Sequence, residues 1–348
     1  MAMQFSKIKV ALFVGLSIAF ITLTAYFYQV FFSPNVMLTG GDGLLFIPKN
    51  ATVKHLQDSL KRYGMVDQMV PFMFVARLLG YTQNIKPGAY LLESRMNNLN
   101  AVRLLRSGKQ VALNLTFNNV RTKHELCVKL TRDLPFQAAE LHELLNNPAF
   151  IDSLGLGMDT ATIVSLFLPN TYQVYWTISP KELVWRFKRE YDAFWNENRK
   201  KRADEIGLSP VQVSVLASIV DAETNKKDEK RRIAGVYLNR LNKGIVLAAD
   251  PTLVFAHGDF NIKRVLNIHK TIDSPYNTYK YSGLPPGPIR IPEAQTIDAV
   301  LDYEKHNFLY FCAREDLSGY HNFASTLAEH SRNSSKYHKA LNEQKIYR

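Results

Sequence analysis

Cysteine is scarce in this chain of 348 residues, which carries two, Cys127 and Cys312. They lie far apart and could pair outside the cytoplasm or serve as two unpaired apolar fillers; the sequence does not decide. The nine histidines show no metalloprotease spacing, and His321 and His330 stand nine residues apart without paired cysteines, so neither a metal nor another cofactor is expected. There is no internal repeat and no low-complexity tract, and the length allows two domains that each bury a core. Charge is missing from residues 10–32, and no basic residue stands between Lys9 and Lys49.

That gap in charge is the first positive signal. An apolar run of about 23 residues suffices to cross a bilayer as a helix. Because Lys7 and Lys9 precede the run, the positive-inside rule predicts a cytoplasmic tail at residues 1–9, a transmembrane helix at 10–32 and everything after Phe32 outside. Tyr26, Phe27, Tyr28, Phe31 and Phe32 resemble an interfacial aromatic belt. The run is long for a cleaved signal peptide and has no clear small-x-small site. The expected location is therefore the cell (inner) membrane, in a single pass. A formal net charge of +12 fits work beside anionic lipid headgroups or on an anionic polymer. Nucleic acid would fit the charge as well, but the anchor and the outside topology argue against that partner.

Turn chemistry divides the remainder. Residues 33–43, with Pro34, Gly40, Gly41 and Gly43, read as a linker. A compact α/β module is predicted over 44–111, with Thr52 opening a helix. Strand-like residues 111–117 lead into a mixed connecting region, 112–205, where 124–130, 138–145 and 181–198 show helical spacing. The last region spans 206–348, and its second helix, around 233–241, should stop at Gly244. The fold class is α+β.

The first helix of that last region carries the chemistry. Ser209 is a good N-cap, Pro210 fits the first helical position and Gln212 completes a capping box. Reading on by three and four, Leu216, Ile219, Val220 and Glu223 share a stripe, with Val215 beside them. A carboxylate on an apolar stripe resists ionisation, so the pKa of Glu223 should rise toward the range of a general acid. The plainer reading is a helix-end glutamate that turns to solvent or pairs with Lys226 or Lys227. Asp221 is two residues away and cannot face Glu223 on a helix. Asp250, before Pro251, belongs to a strand end or turn, where aspartate often bonds its own backbone.

The stretch from Ala217 to Thr224, then Tyr237-Leu238-Asn239-Arg240-Leu241, Asp250-Pro251-Thr252, Tyr276-Asn277-Thr278-Tyr279 and Gly283-Leu284-Pro285-Pro286-Gly287 resembles the YceG-like family of endolytic murein transglycosylases in order and spacing. His321-Asn322-Phe323 and Glu329-His330 extend the resemblance toward the C-terminus. Upstream, Lys86-Pro87-Gly88-Ala89-Tyr90 and the run from Leu104 to Lys109 resemble a LysM-like wall-binding module, which the resemblance places over 44–111.

The resemblance implies that Glu223 is the catalytic acid and that Asp221, where the family has glutamate, supports it. It implies a sugar groove formed by Asn239, Asp250, Thr252, Tyr276, Asn277, Thr278, Tyr279, Pro285 and Pro286. The stretch from Val164 to Tyr172 lacks two acids usual in the family, so no catalytic part is assigned there. The implied activity is lytic cleavage of peptidoglycan, in which the C6 hydroxyl of N-acetylmuramic acid (MurNAc) attacks its own anomeric carbon, so that one carboxylate serves both steps. The implied partners are peptidoglycan glycan strands, membrane lipid and peptidoglycan synthases. Two alternatives stand beside it: a two-carboxylate glycan hydrolase using Glu223 with Asp250, and a non-catalytic membrane-anchored wall-binding or assembly protein.

Overall fold

The computed structural model describes residues 7–38, 43–262 and 264–343. Gly40 and Gly41 of the expected linker, and residues 1–6 of the expected cytoplasmic tail, lie outside these. The described chain is mixed α and β and falls into two compact units, one made of Met1–Asn114, Asp133–Pro135 and Gln173–Ile178, the other of Leu115–Arg132, Phe136–Tyr172 and Ser179–Arg348.

The first unit begins with helix α1 (Lys7–Phe32), 26 residues with no polar face, long enough and apolar enough to span a membrane. Its side chains are mostly exposed, apart from Val30 and Phe31. Strand β1 (Leu44–Ile47), α2 (Val53–Arg62), α3 (Met69–Leu78), β2 (Gly88–Leu91) and α4 (Asn98–Ser107) follow. β1 and β2 pair antiparallel, Leu44 opposite Leu91 and Ile47 opposite Gly88. The alternation of β1 sends Leu45 and Ile47 inward, where Leu56, Leu60, Phe72, Val75, Tyr90 and Leu105 complete a core. Thr52 caps α2 as expected, accepting from the His55 N–H.

One expectation is corrected here. Residues 33–38 belong to the fold rather than to a free linker: Asn35 and Val36 are buried, and their N–H groups both donate to the Met96 carbonyl. Asn35 also exchanges side-chain hydrogen bonds with the backbone of Gln68 and donates to Asn98 Oδ1 at 2.6 Å. Asn98 in turn donates to the carbonyl of Val30, at 2.8 Å. Buried amides satisfied in this way replace the water that a true linker would keep on its backbone.

Strand β3 (Ala112–Phe117) starts one residue later than expected and leads to α5 (Lys123–Thr131), α6 (Ala138–Leu144) and α7 (Pro148–Ser153). Strand β4 (Asn170–Tyr175) pairs with β3. The next stretch departs from expectation, because residues 181–198 do not form one helix. They divide into α8 (Pro180–Phe194) and α9 (Glu197–Glu205). Trp195 leaves the helical region at ψ 58, and the Asn196 side chain accepts from the Arg199 N–H, starting a new helix. Asparagine competes for backbone groups at a helix start and so overrode the helical spacing.

Helices α10 (Pro210–Glu223), α11 (Lys230–Asn242), α12 (Asp250–His257) and α13 (Ala294–Leu301) build the centre of the second unit. α10 packs against α9, α11, α12 and α13. Val213, Val215, Leu216, Ile219 and Val220 are all buried, each contributing about 1.5–3 kcal/mol by transfer from water. Ser214, Ser218 and Asp221 are buried too, so α10 is enclosed around most of its circumference and is more deeply set than its apolar stripe implied. Gly244 takes φ 65 just past the C-cap Lys243 of α11, the left-handed turn its position predicts. An antiparallel hairpin of β5 (Tyr310–Ala313) and β6 (His321–Ala324) precedes α14 (Leu327–Glu343), none of whose residues is buried. Cys127 and Cys312 are both free thiols.

Candidate active site

Ser209 caps α10 through the predicted reciprocal bonds, its Oγ accepting from the Gln212 N–H and its N–H donating to Gln212 Oε1. The helix then runs until Glu223, its last residue, after which Thr224 turns extended. Glu223 is thereby set at the end of a buried helix with its carboxyl at a cleft. Lys226 and Lys227 are not its partners. Tyr237, on the buried face of α11, donates its hydroxyl to Glu223 Oε1 at 2.5 Å, leaving Oε2 unpartnered among the described residues. Burial pushes the Glu223 carboxyl up to about 7; the Tyr237 bond opposes that rise, and the charge of Asp250 adds to it. The group is poised to hold a proton near neutrality and to give it up.

Two clefts meet at this residue. One, of about 730 Å³, is lined by apolar side chains, among them Val254, Phe255, Phe260 and Leu341, and equally by Asp250, Arg264, Tyr337 and His338. The other, of about 590 Å³, is polar, lined by Asn118, Asn119, Thr224, Asn225 and Glu293. Arg121, Ala222, Glu223 and Arg290 line both. The carboxyl therefore stands in a passage with one side that mixes aromatic and charged groups and another that is mainly polar.

Asp221, just behind Glu223, is buried in an ion-pair network. Its Oδ1 accepts from Lys230 Nζ at 2.6 Å and from the Thr296 hydroxyl at 2.7 Å, while Arg290 Nε lies 3.3 Å from Oδ2. Arg290 also donates to the Asp221 carbonyl and to Asn119 Oδ1. The shorter acid at this position reaches two cations and a hydroxyl; it lines the polar cleft together with Glu223, but its carboxylate is taken up by these partners. At the same end of α11, Glu229 accepts from both the backbone N–H and the ring Nδ1 position of His321, which fastens the β5–β6 hairpin to the helix.

The other sequence-predicted residues separate into groups. Asp250 lines the cleft, but it opens helix α12 instead of ending a strand, and it accepts from the Tyr279 hydroxyl at 2.5 Å. Asn277 is fully buried and donates to the carbonyls of Lys270 and Ile272, holding the loop that carries Tyr279. Thr252 and Thr278 are buried with their hydroxyls 2.8 Å apart, and Thr278 also accepts from the Ala249 N–H, which fixes the start of α12. Asn239 donates to the carbonyls of His306 and Phe308. Tyr276 meets Phe255 with the two rings tilted, centroids 4.8 Å apart, and lines a side pocket with Arg121 and Arg290. Pro285 and Pro286 line a separate pocket with Leu208 and Leu238. Asn239, Thr252, Asn277, Thr278, Pro285 and Pro286 are thus placed around the site without lining its cleft, because their polar atoms are engaged by backbone or their rings face elsewhere.

Sequence reasoning gave no role to Tyr237, Arg290, Lys230 or Arg121. Tyr237 lies 14 residues from Glu223, and only the packing of α10 against α11 joins them. The signal available was its place in a helix otherwise apolar on that face, where a buried phenol needs a partner.

The fold and the site define a mixed α/β protein with an N-terminal apolar helix and a cleft built around a raised carboxyl. The chain belongs to the YceG-like family, whose model matches residues 45–336. It is 26% identical over 310 residues to a Bacillus subtilis protein named endolytic murein transglycosylase, covering 85% of each chain. A Streptococcus pneumoniae protein of the same name is 24% identical over 322 residues; the match takes in 84% of this chain and 57% of the relative. The crystal structure of a yceG-like protein from Listeria monocytogenes superposes with a TM-score of 0.57 at 25% identity, covering 83% of this chain and 97% of that one.

Proposed function

We infer that the protein is an endolytic peptidoglycan lytic transglycosylase, a carbon–oxygen lyase that cuts the β-1,4 bond between MurNAc and N-acetylglucosamine within glycan strands. It leaves 1,6-anhydro-MurNAc ends and limits or terminates strand elongation. The observation that carries this reading is the position of Glu223, a carboxyl raised to about 7 at the junction of two clefts. A cut inside a strand needs room on both sides of the acid. The relatives named endolytic murein transglycosylase support the same activity.

Glu223 gives its proton from Oε2 to the glycosidic oxygen as the bond to the anomeric carbon breaks. The resulting carboxylate, held by Tyr237, then takes the proton of the MurNAc C6 hydroxyl as that oxygen closes on the same carbon. The acid is restored and no water is consumed. A tethered nucleophile supplies the proximity that a second carboxylate provides in hydrolases. Asp250 and Tyr279, joined to each other, set the charge around the acid. Asp221 supports the site by holding Lys230 behind it and Arg290 at the cleft wall. Asn239, Thr252, Asn277 and Thr278 hold the surrounding loops, and Tyr276, Pro285 and Pro286 shape more distant surface for the strand.

Helix α1 anchors the protein in the cell membrane with its N-terminus cytoplasmic and both units outside, where anionic lipid and glycan strands are its partners and peptidoglycan synthases supply its substrate. The region 44–111 acts as a LysM-like wall-binding module. Because Asp250 shares the cleft with Glu223, a two-carboxylate hydrolase is the second reading. Digestion of purified sacculi in heavy-oxygen water separates the two: unlabelled 1,6-anhydro ends are expected, and labelled reducing ends would overturn the transglycosylase assignment.

A further inference from the structure

We propose that helix α3 lies in the lipid headgroup region, with Val70, Phe74 and Leu78 as a membrane-facing surface of the first unit. The proposal rests on the reading of α1 as the bilayer helix. These three side chains recur at every fourth position and are 80%, 55% and 62% exposed, while Phe72, Val75 and Ala76 on the other face are fully buried. A helix lying against a domain in water presents a polar outer stripe. α3 presents an apolar one, and Arg77 is its single charged residue.

Continuity with α1 identifies the occupant. Phe74 meets Phe31 of α1 edge-on, with ring centroids 6.3 Å apart, and α3 packs against α1. Tyr28 and Phe32, beside that contact, are also exposed. An apolar surface therefore passes without a break from the end of the spanning helix onto α3, as in helices that lie in the interface with their apolar face in the acyl boundary. Arg77, next to Leu78, has the reach to extend its guanidinium to phosphate while its stem stays among apolar groups.

The test uses the full-length chain in phosphatidylglycerol–phosphatidylcholine vesicles, in a Cys312→Ser background. Cys127 is buried, with its thiol pushed up to about 12 by burial, and stays unlabelled. An environment-sensitive fluorophore is placed through Val70→Cys, Phe74→Cys or Leu78→Cys, with Phe20→Cys marking the middle of α1 and Lys200→Cys a site in the other unit. Lipids brominated near the headgroup should quench positions 70, 74 and 78 at least threefold more than position 200, whereas deep bromines should quench position 20 best. Quenching at position 20 with none at the three α3 positions would overturn the proposal, as would protection of those positions that depends on protein concentration and so points to a second copy. Absence of quenching at position 20 would instead remove the spanning helix.

Discussion

The hydroxyl of Tyr237 stands 2.5 Å from Oε1 of Glu223 and ties the last residue of α10 to the middle of α11. The bond does two things at once. It orients the carboxyl so that Oε2 is the atom left for a substrate, and it stabilises the ionised form against a burial that favours the neutral one.

Tyr237→Phe should therefore raise the pKa of Glu223 above about 7. An acid that must be protonated loses activity as pH rises through its pKa, so the alkaline limb of kcat/KM should move to higher pH. Loss of orientation should lower the maximum by about 10-fold, as expected for one buried hydrogen bond. An unmoved limb in a pH–rate profile would count against the assignment of Glu223 as the acid.

Asp250→Asn should shift the same limb in the opposite direction. Its charge helps to raise the Glu223 pKa, and an amide removes that contribution. Activity near neutrality should fall less than in Glu223→Gln. Equal losses in the two variants would instead indicate that both carboxylates perform chemistry.

Glu223→Gln should abolish cleavage, by about 100-fold to 10,000-fold or more since one group serves both steps, while glycan binding persists. It should also stabilise the fold at high pH. A carboxyl raised from its usual value to about 7 binds more protons folded than unfolded, so its stability contribution declines as pH rises between those values. Denaturation above about pH 8 should show the variant more stable by up to about 3 kcal/mol, with no difference near about pH 4.

Asp221→Ala should cost about 3–5 kcal/mol in urea unfolding, because Lys230, itself buried, would lose its carboxylate and Arg290 its anchor. Cleavage should fall with the displacement of Arg290 from the cleft wall. Unchanged stability would mean that water replaces the carboxylate there.

The elements announced by capping and periodicity were legible. Ser209 with Gln212, Thr52, Gly244 and the uncharged run of α1 all act within a few residues of where they stand, and a local signal is what a sequence displays. Glu223 was legible for the same reason, as a polar residue on an apolar stripe. What joins it to Tyr237 was not, since nothing in either segment encodes how α10 and α11 lie together. Asn277 and Thr278 looked like groove residues beside Tyr276 and Tyr279. Their side chains turn inward to backbone carbonyls and to another threonine, a choice made by the loop as a whole. The break at Asn196 was missed because helical spacing on either side outweighed a single capping residue.

The hydrogen bond from Asn98 to the carbonyl of Val30 satisfies one of the acceptors that a helix leaves open at its C-terminus. That carbonyl sits at the foot of α1, so the seal is provided by the folded module and not by water or headgroups. Helix and module are thereby joined by a direct bond. On the proposed reading of α1 as a bilayer helix, a segment longer than the local hydrocarbon adapts by tilting, and this bond carries part of any such tilt to the fold. The tilt would then bear first on Asn35 and Asn98, the buried amides that fasten the helix to the fold.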